Sequence, residues 1–212
     1  MSQVETPPRS RERLAVNVRK ATKLDVPQLK AVIARAFDDD PVINWMVAQD
    51  KRRAGRVYDA LALYLDRVFM PNGEVYTTDG VHGGALWAPP GKHKVPVLRQ
   101  LMMMPGLARA SGMSRVRDGL AGMNAVEKKH PHEPHFYLGV LGTDPDHQGR
   151  GVGTELMRPV LERCDRERIP AYLESSKERN VPLYERNGFQ VTEVFTIPRG
   201  GPPVWLMWRD PQ

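Results

Sequence analysis

The chain holds 212 residues, 41% hydrophobic and 26% charged, a balance that can bury a core and excludes disorder throughout. No apolar run approaches the ~20 residues a membrane helix needs, and a single cysteine, Cys164, excludes an internal disulfide, in keeping with a reducing cytoplasm. The net charge of +6 favours anionic partners, but basic residues are scattered among acids and not interleaved with aromatics, which speaks against nucleic acid and for a small polyphosphate.

Residues 1–15 mix prolines and charges without an apolar stretch and are expected to be a flexible tail, with no secretory signal, ahead of one domain over 16–212. Asn17 to Thr22 alternates as a short strand. Asp25 is then placed to cap a helix with Val26, Leu29, Val32, Ile33 and Phe37 on one face, stopped by Asp38, Asp39, Asp40 and Pro41. Helical spacing returns from Lys51 to about Met70 through Val57, Leu61, Tyr64, Leu65 and Val68, and PNG closes that segment. EVYTT and GALWA read as strands joined by the turn DGVHG.

Residues 94–129 are helical again, one piece carrying Val95, Leu98, Leu101 and Met102 and another carrying Val116, Leu120, Met123 and Val126, with Pro105 and Gly106 expected to separate them. FYLGVLG, from Phe136 to Gly142, is the strongest strand and is apolar almost throughout. After it, Val152, Leu156, Met157, Val160, Leu161 and Cys164 form the stripe of an amphipathic helix in which Pro159 predicts a kink. A strand from Ala171 to Glu174, a short helix from Asn180 to Asn187 ended by Gly188, and strands in FQVTEVFTI and PVWLMWR complete a mixed α/β domain around one sheet.

Between the strongest strand and the amphipathic helix stands DPDHQGRGVGT, with Gly149, Gly151 and Gly153 at alternate positions. A helix start leaves backbone N–H groups without intrahelical partners and carries partial positive charge. Glycines there let a phosphate approach the main chain, and Gln148 and Arg150 add donors suited to a pyrophosphate. The dinucleotide loop G-x-G-x-x-G fails at Thr154, and the Walker loop lacks its Gly-Lys-Ser/Thr.

The spacing Q-x-x-G-x-G, set by Gln148, Gly151 and Gly153, resembles the coenzyme A pyrophosphate loop of the GNAT superfamily of acetyl-CoA-dependent N-acetyltransferases. AYLESSKERNVPLYERNGF resembles the same family's strand, helix and Asn-x-x-x-Tyr signature, with Asn180, Tyr184, Gly188 and Phe189 in its places. The wording from HFYLGVLGTDPDHQGRG onward is nearest to the puromycin N-acetyltransferase type within that superfamily.

The resemblance implies the GNAT acyl-CoA N-acyltransferase fold: α/β, with a mixed, mainly antiparallel sheet of about six or seven strands flanked by helices, and a cofactor-binding core over about 135–190. It implies acetyl-CoA as acyl donor, its pantetheine arm entering where the strands at Phe136 to Thr143 and Ala171 to Glu174 splay apart. Leu141, Gly142 and Thr143 would bond the arm through their backbone, and Gln148, Gly149, Arg150, Gly151, Val152, Gly153 and Thr154 would wrap the pyrophosphate. The Asn180 amide would touch the arm, and Tyr184 would face the sulfur as general acid. Glu174, at the end of its strand, is the candidate general base.

The expected reaction is direct acetyl transfer to a primary amine of a small molecule in a ternary complex. The rival readings are a non-catalytic acyl-CoA-binding module and a nucleic-acid-binding protein. The expected partners are the amine acceptor alone, without nucleic acid or membrane, and the chain is expected to be a monomer or homodimer.

His130, His132, Glu133 and His135 lack a structural-zinc pattern and read as a proline-broken loop, so no metal site is assigned. Met102, Met103, Met104, Met113 and Met123 read as core and gap filling, and Cys164 as packing. Asp38, Asp39 and Asp40 fit either a solvated helix end or a lure for a cationic amine.

Overall fold

The computed structural model describes residues 14–94 and 96–212; residues 1–13, most of the expected tail, and Val95 of one expected helix face lie outside the described residues. Leu14, assigned to the tail from sequence, packs against the core and donates its N–H to the Arg150 carbonyl at 3.0 Å.

The period-2 segments form one seven-stranded sheet of β1 (Val18–Lys20), β2 (Val75–Thr78), β3 (Gly83–Ala88), β4 (Phe136–Thr143), β5 (Ala171–Ser175), β6 (Gln190–Thr196) and β7 (Pro203–Arg209). The strand order is β1-β2-β3-β4-β5-β7-β6, and the pair β4 and β5 alone is parallel. The sheet is therefore mixed and mainly antiparallel. The helices are α1 (Val26–Ala36), α2 (Pro41–Met46), α3 (Arg53–Tyr64), α4 (Val97–Ser111), α5 (Val116–Lys129), α6 (Val152–Glu167) and α7 (Val181–Glu185). None of the described helices is long and apolar enough to cross a membrane.

Two cores cover the two faces. On one, the α6 stripe of Val152, Leu156, Met157, Val160, Leu161 and Cys164 meets Trp87, Phe136, Leu138, Ala171 and Leu173, with Tyr184 and Phe189 beyond. On the other, Leu29 and Ile33 of α1 and Val57 and Leu61 of α3 meet Phe69, Leu86 and Val140. Helix α6 continues through Pro159, since the tertiary burial of its stripe outweighs one lost backbone bond.

Several local expectations move. Asp25 stands at the N-cap of α1 without a cap bond; its carboxylate instead accepts from the Thr22 N–H at 2.7 Å and from two Arg19 nitrogens at 2.8 Å. The Arg19 hydrogen bonds hold its carboxyl well below the usual range. Pro105 lies inside α4, and the break before α5 falls at Gly112, whose φ of +77° and ψ of 144° leave the helical region in a conformation that side-chain-bearing residues avoid. Met102, 69% exposed, lies on a row of α4 with exposed Leu98 and Leu101 that faces solvent, and Met113, in the connection after α4, is 86% exposed, which corrects the assignment of both to the core, while Met103 packs inward.

Strand β4 carries the feature that shapes the site. Leu86 pairs with Val140 but the next residue, Trp87, pairs with Leu138, so Gly139 is an extra residue, a β-bulge. Because side chains alternate along a strand, the bulge sends Leu138 to the α6 face and Val140 to the α1 face. Beyond it β4 leaves β5: the parallel register runs through Phe136↔Ala171, Tyr137↔Tyr172 and Leu138↔Leu173 and stops there.

A Cβ on Gly139 would stand 2.3 Å from the Phe69 ring and 3.1 Å from Tyr137. Gly139→Ala is expected to destabilise the protein by ~1–3 kcal/mol through this overpacking, read as a lower midpoint in urea with an unchanged slope. A midpoint equal to wild type would contradict the tight fit.

Candidate functional site

The loop after β4 is held at its base. Asp144 donates its N–H to the His82 carbonyl at 2.8 Å, accepts the Asp146 N–H at 3.1 Å on its carboxylate, and ion-pairs with Arg35 of α1. After the single turn Pro145–His147, Gly149 and Gly151 adopt φ of +74° and +85°, conformations that cost a side-chain-bearing residue strain. Gly151 is the N-cap of α6 and has no side chain with which to cap it.

The first bond at this end of α6 runs from the Glu155 N–H to the Gly151 carbonyl at 3.2 Å, and among the described residues the N–H groups of Val152, Gly153 and Thr154 have no acceptor. Gln148 and Gly149 are exposed, with the Gln148 amide reaching the Thr143 carbonyl at 3.1 Å. Arg150 Nε is buried without a hydrogen-bond partner among the described residues. Donors and partial positive charge thus converge on an open surface, the arrangement that receives a phosphate.

Where β4 and β5 part, a cavity opens between Leu138, Gly139 and Leu141 on one side and Leu173, Glu174 and Ser175 on the other. Asn180 and Tyr184 close one end, and Ala36, Phe37 and Asp40 another. Of the residues singled out in the sequence, the structure brings Leu141, Glu174, Asn180 and Tyr184 to this cavity. Gly142 and Thr143 continue β4 toward the loop, and residues 148–154 lie beyond the cavity lining, at the strand's end.

Asn180 occupies the N-cap position of α7 but makes no cap bond, and it lines the cavity. The Tyr184 hydroxyl is pushed well above its ordinary pKa by burial and then by the charge of Asp40, so it keeps its proton at neutral pH. Asp40 is 2% exposed, accepts from the Ile43 N–H at 2.9 Å and from the Ser176 hydroxyl, and has its own pKa raised by burial. The rest of the acid run serves structure. Asp38 pairs with Arg53 at 2.6 Å, and Asp39 with Lys177 and Arg179, which clasps the α1–α2 connection to the β5–α7 connection.

Glu174 lies on the face of β5 opposite the α6 core, as does Tyr172 two residues earlier. Its Oε1 is buried without a hydrogen bond, 3.4 Å from His130 Nδ1. Around it stand three tyrosines whose hydroxyl pKa values are raised by burial and then by its charge: Tyr64, to about 12, Tyr137 and Tyr172.

Sequence reading passed over this surround, although the same-face parity of Tyr172 and Glu174 was there to be used. His130 and His135, read as an ordinary loop, are both buried, with their Nε2 atoms 3.0 Å apart. His93 stacks on His130 at a centroid distance of 4.1 Å. Burial, with the neighbouring imidazoles, lowers the His93 pKa to about 4. No local signal ties position 93 to position 130.

Comparison with known proteins agrees with this geometry. The model of the acetyltransferase (GNAT) family matches residues 107–189, a segment that includes β4, the glycine loop, α6, β5 and α7. An uncharacterized N-acetyltransferase of Schizosaccharomyces pombe is 25% identical over 199 residues, covering 89% of this chain and 81% of its own. Among solved structures, the histone acetyltransferase HPA2 and related acetyltransferase from Corynebacterium glutamicum matches with a TM-score of 0.74 at 24% identity, over 94% of this chain and 98% of the other. The polyamine N-acetyltransferase of Drosophila melanogaster, an enzyme that forms N-acetylagmatine, matches with a TM-score of 0.64 at 16% identity, over 92% and 100%. With the glycine loop, the parted strands and the Asn-x-x-x-Tyr helix all in this fold, residues 107–189 form an acetyltransferase (GNAT) family domain, and the chain is similar over most of its length to an N-acetyltransferase.

Proposed function

We propose that the protein transfers an acetyl group from acetyl-CoA to a primary amine of a small molecule, by direct attack in a ternary complex. The observation that carries this reading is the cavity where β4 and β5 part, continued at the end of β4 by the uncapped N–H groups of Val152, Gly153 and Thr154. In this reading the diphosphate lies on residues 148–154, the pantetheine arm runs along Leu141 to Thr143 past the Asn180 amide, and the thioester reaches Tyr184. The cofactor core is about residues 135–190.

Attack requires a neutral amine, and the departing thiolate must be protonated. A carboxylate facing the acceptor side takes the ammonium proton, and Glu174 fills that place with an unbonded oxygen. Tyr184, kept protonated by burial, gives its proton to sulfur as the carbon–sulfur bond breaks and regains one from the nitrogen that has formed the amide. Leaving thiolate and attacking amine are thus served from opposite faces of the sheet. The small-amine acceptor is supported by the narrow cavity between β4 and β5, by the buried carboxylates of Asp40 and Glu174 that attract a cation, and by the polyamine substrate of the Drosophila neighbour. The cytoplasm suits the buried Cys164, whose thiol pKa is pushed up to about 12 by burial and so stays unreactive.

Acetyl-CoA at ~100 times its dissociation constant is expected to add ~2.7 kcal/mol of stability, seen as a rise in Tm. No rise at any acetyl-CoA concentration would contradict the donor assignment. Tyr184→Phe is expected to lower kcat by ~10²-fold while that rise in Tm persists. Full turnover in the variant would remove Tyr184 from the chemistry. Free thiol released by the wild type across a panel of small amines separates an enzyme from a module that only binds acyl-CoA.

A further inference from the structure

The imidazoles of His130 and His135 face each other in a buried place with a third imidazole, His93, stacked beside them. His135 Nδ1 is 2.6 Å from the Glu133 carbonyl, an acceptor only, so that nitrogen carries the proton and Nε2 carries a lone pair. His130 Nδ1 stands 3.4 Å from the Glu174 carboxylate oxygen without a hydrogen bond to it, so the ring is free to present Nε2 as a lone pair. The two Nε2 atoms face each other from 3.0 Å in a buried place, a separation that either a proton on His130 Nε2 or a metal ion held between the two rings accommodates. Beside them, both ring nitrogens of His93 are buried without partners.

We propose that His130, His135 and His93 form a binding site for a divalent transition-metal ion of the zinc class. One ligand atom from each of the three already lies within 4.8 Å of the others. Two nitrogens on a tetrahedral zinc, each bonded at ~2.0–2.1 Å, stand about 3.3 Å apart, so the pair at His130 and His135 needs to open by only a few tenths of an ångström. His93, stacked over His130 in a loop outside the helices and strands, turns its ring edge inward to complete the set.

The Glu133 carbonyl holds the outward nitrogen of His135 as a second partner holds the histidine of a metal site, and the Glu174 carboxylate stands 3.4 Å from that of His130, within reach of the same role once the ring turns to ligate. Three imidazoles leave the fourth position to water or another small donor. The site stands apart from the acetyl-CoA reading, since metal is bound whether or not acetyl transfer occurs, but its contact with Glu174 places the ion next to the candidate base.

The test is titration of the full chain, freed of metal by chelator and dialysis, with Co²⁺ followed by visible absorption, and with Zn²⁺ by competition. The expected result is one equivalent of Co²⁺ with the intense bands of a tetrahedral site, displaced by Zn²⁺. His135→Asn and His93→Asn are each expected to weaken binding by more than 10-fold, and Glu174→Gln by ~10-fold. His93→Asn lies in a loop and is only half-buried, so it reports on the site even if His135→Asn fails to fold. Absence of the bands in the wild type, or bands that survive His93→Asn and His135→Asn unchanged, would overturn the proposal.

Discussion

One extra residue in β4 governs the rest of the molecule. A regular strand would have kept β4 and β5 bonded along their whole length and closed the sheet. The bulge at Gly139 bends β4 away after Leu138, and the pairing with β5 ends at Leu173. The cost is a stretch of strand without a partner on one side. The bulge is tolerated because Gly139 lets the Phe69 ring close against the backbone and because β3 stays paired with β4 through Thr143. The gain is a slot through a sheet whose faces are otherwise covered by helices.

The slot explains the division of labour on its two sides. Alternation along β5 turns Leu173 into the α6 core and Glu174 to the opposite face, so Tyr184 and Glu174 approach one cavity from different layers. Burial treats them differently. It strengthens the hold of Tyr184 on its proton, whereas Glu174 is surrounded by tyrosine hydroxyls and an imidazole that share its environment. The clasp of Asp39 on Lys177 and Arg179, and of Asp40 on Ser176, fixes the segment that carries Asn180 and Tyr184 against the end of α1.

Much of this was legible from residues close together in the chain. The apolar stripe of α6, the strand before it and the alternate glycines between them are local patterns, and the structure places them as strand, left-handed turn and uncapped helix. What escaped depended on distant partners. Pro105 reads as a stop, but the stop is Gly112, whose positive φ takes the backbone out of the helix while the helix runs on through the proline. Met102 shares helical spacing with Leu98 and Leu101, yet spacing does not tell which face meets the sheet, and this one does not. The acid run read equally as solvated or functional, and only the return of Lys177 and Arg179 past it decides most of its role. His93, His130 and His135 meet because loops before and after α4 and α5 return to one edge of β5, which no local pattern records.

The central claim is that the gap opened at Gly139 and the unbonded amides at the start of α6 form one continuous seat for an acyl-CoA. A crystal structure of the protein with acetyl-CoA tests it most directly. The account predicts diphosphate oxygens within hydrogen-bond distance of the Val152, Gly153 and Thr154 N–H groups, with the thioester sulfur beside the Tyr184 hydroxyl. A ligand seated elsewhere, with β4 and β5 closed on each other beyond Leu138 and Leu173, would contradict it.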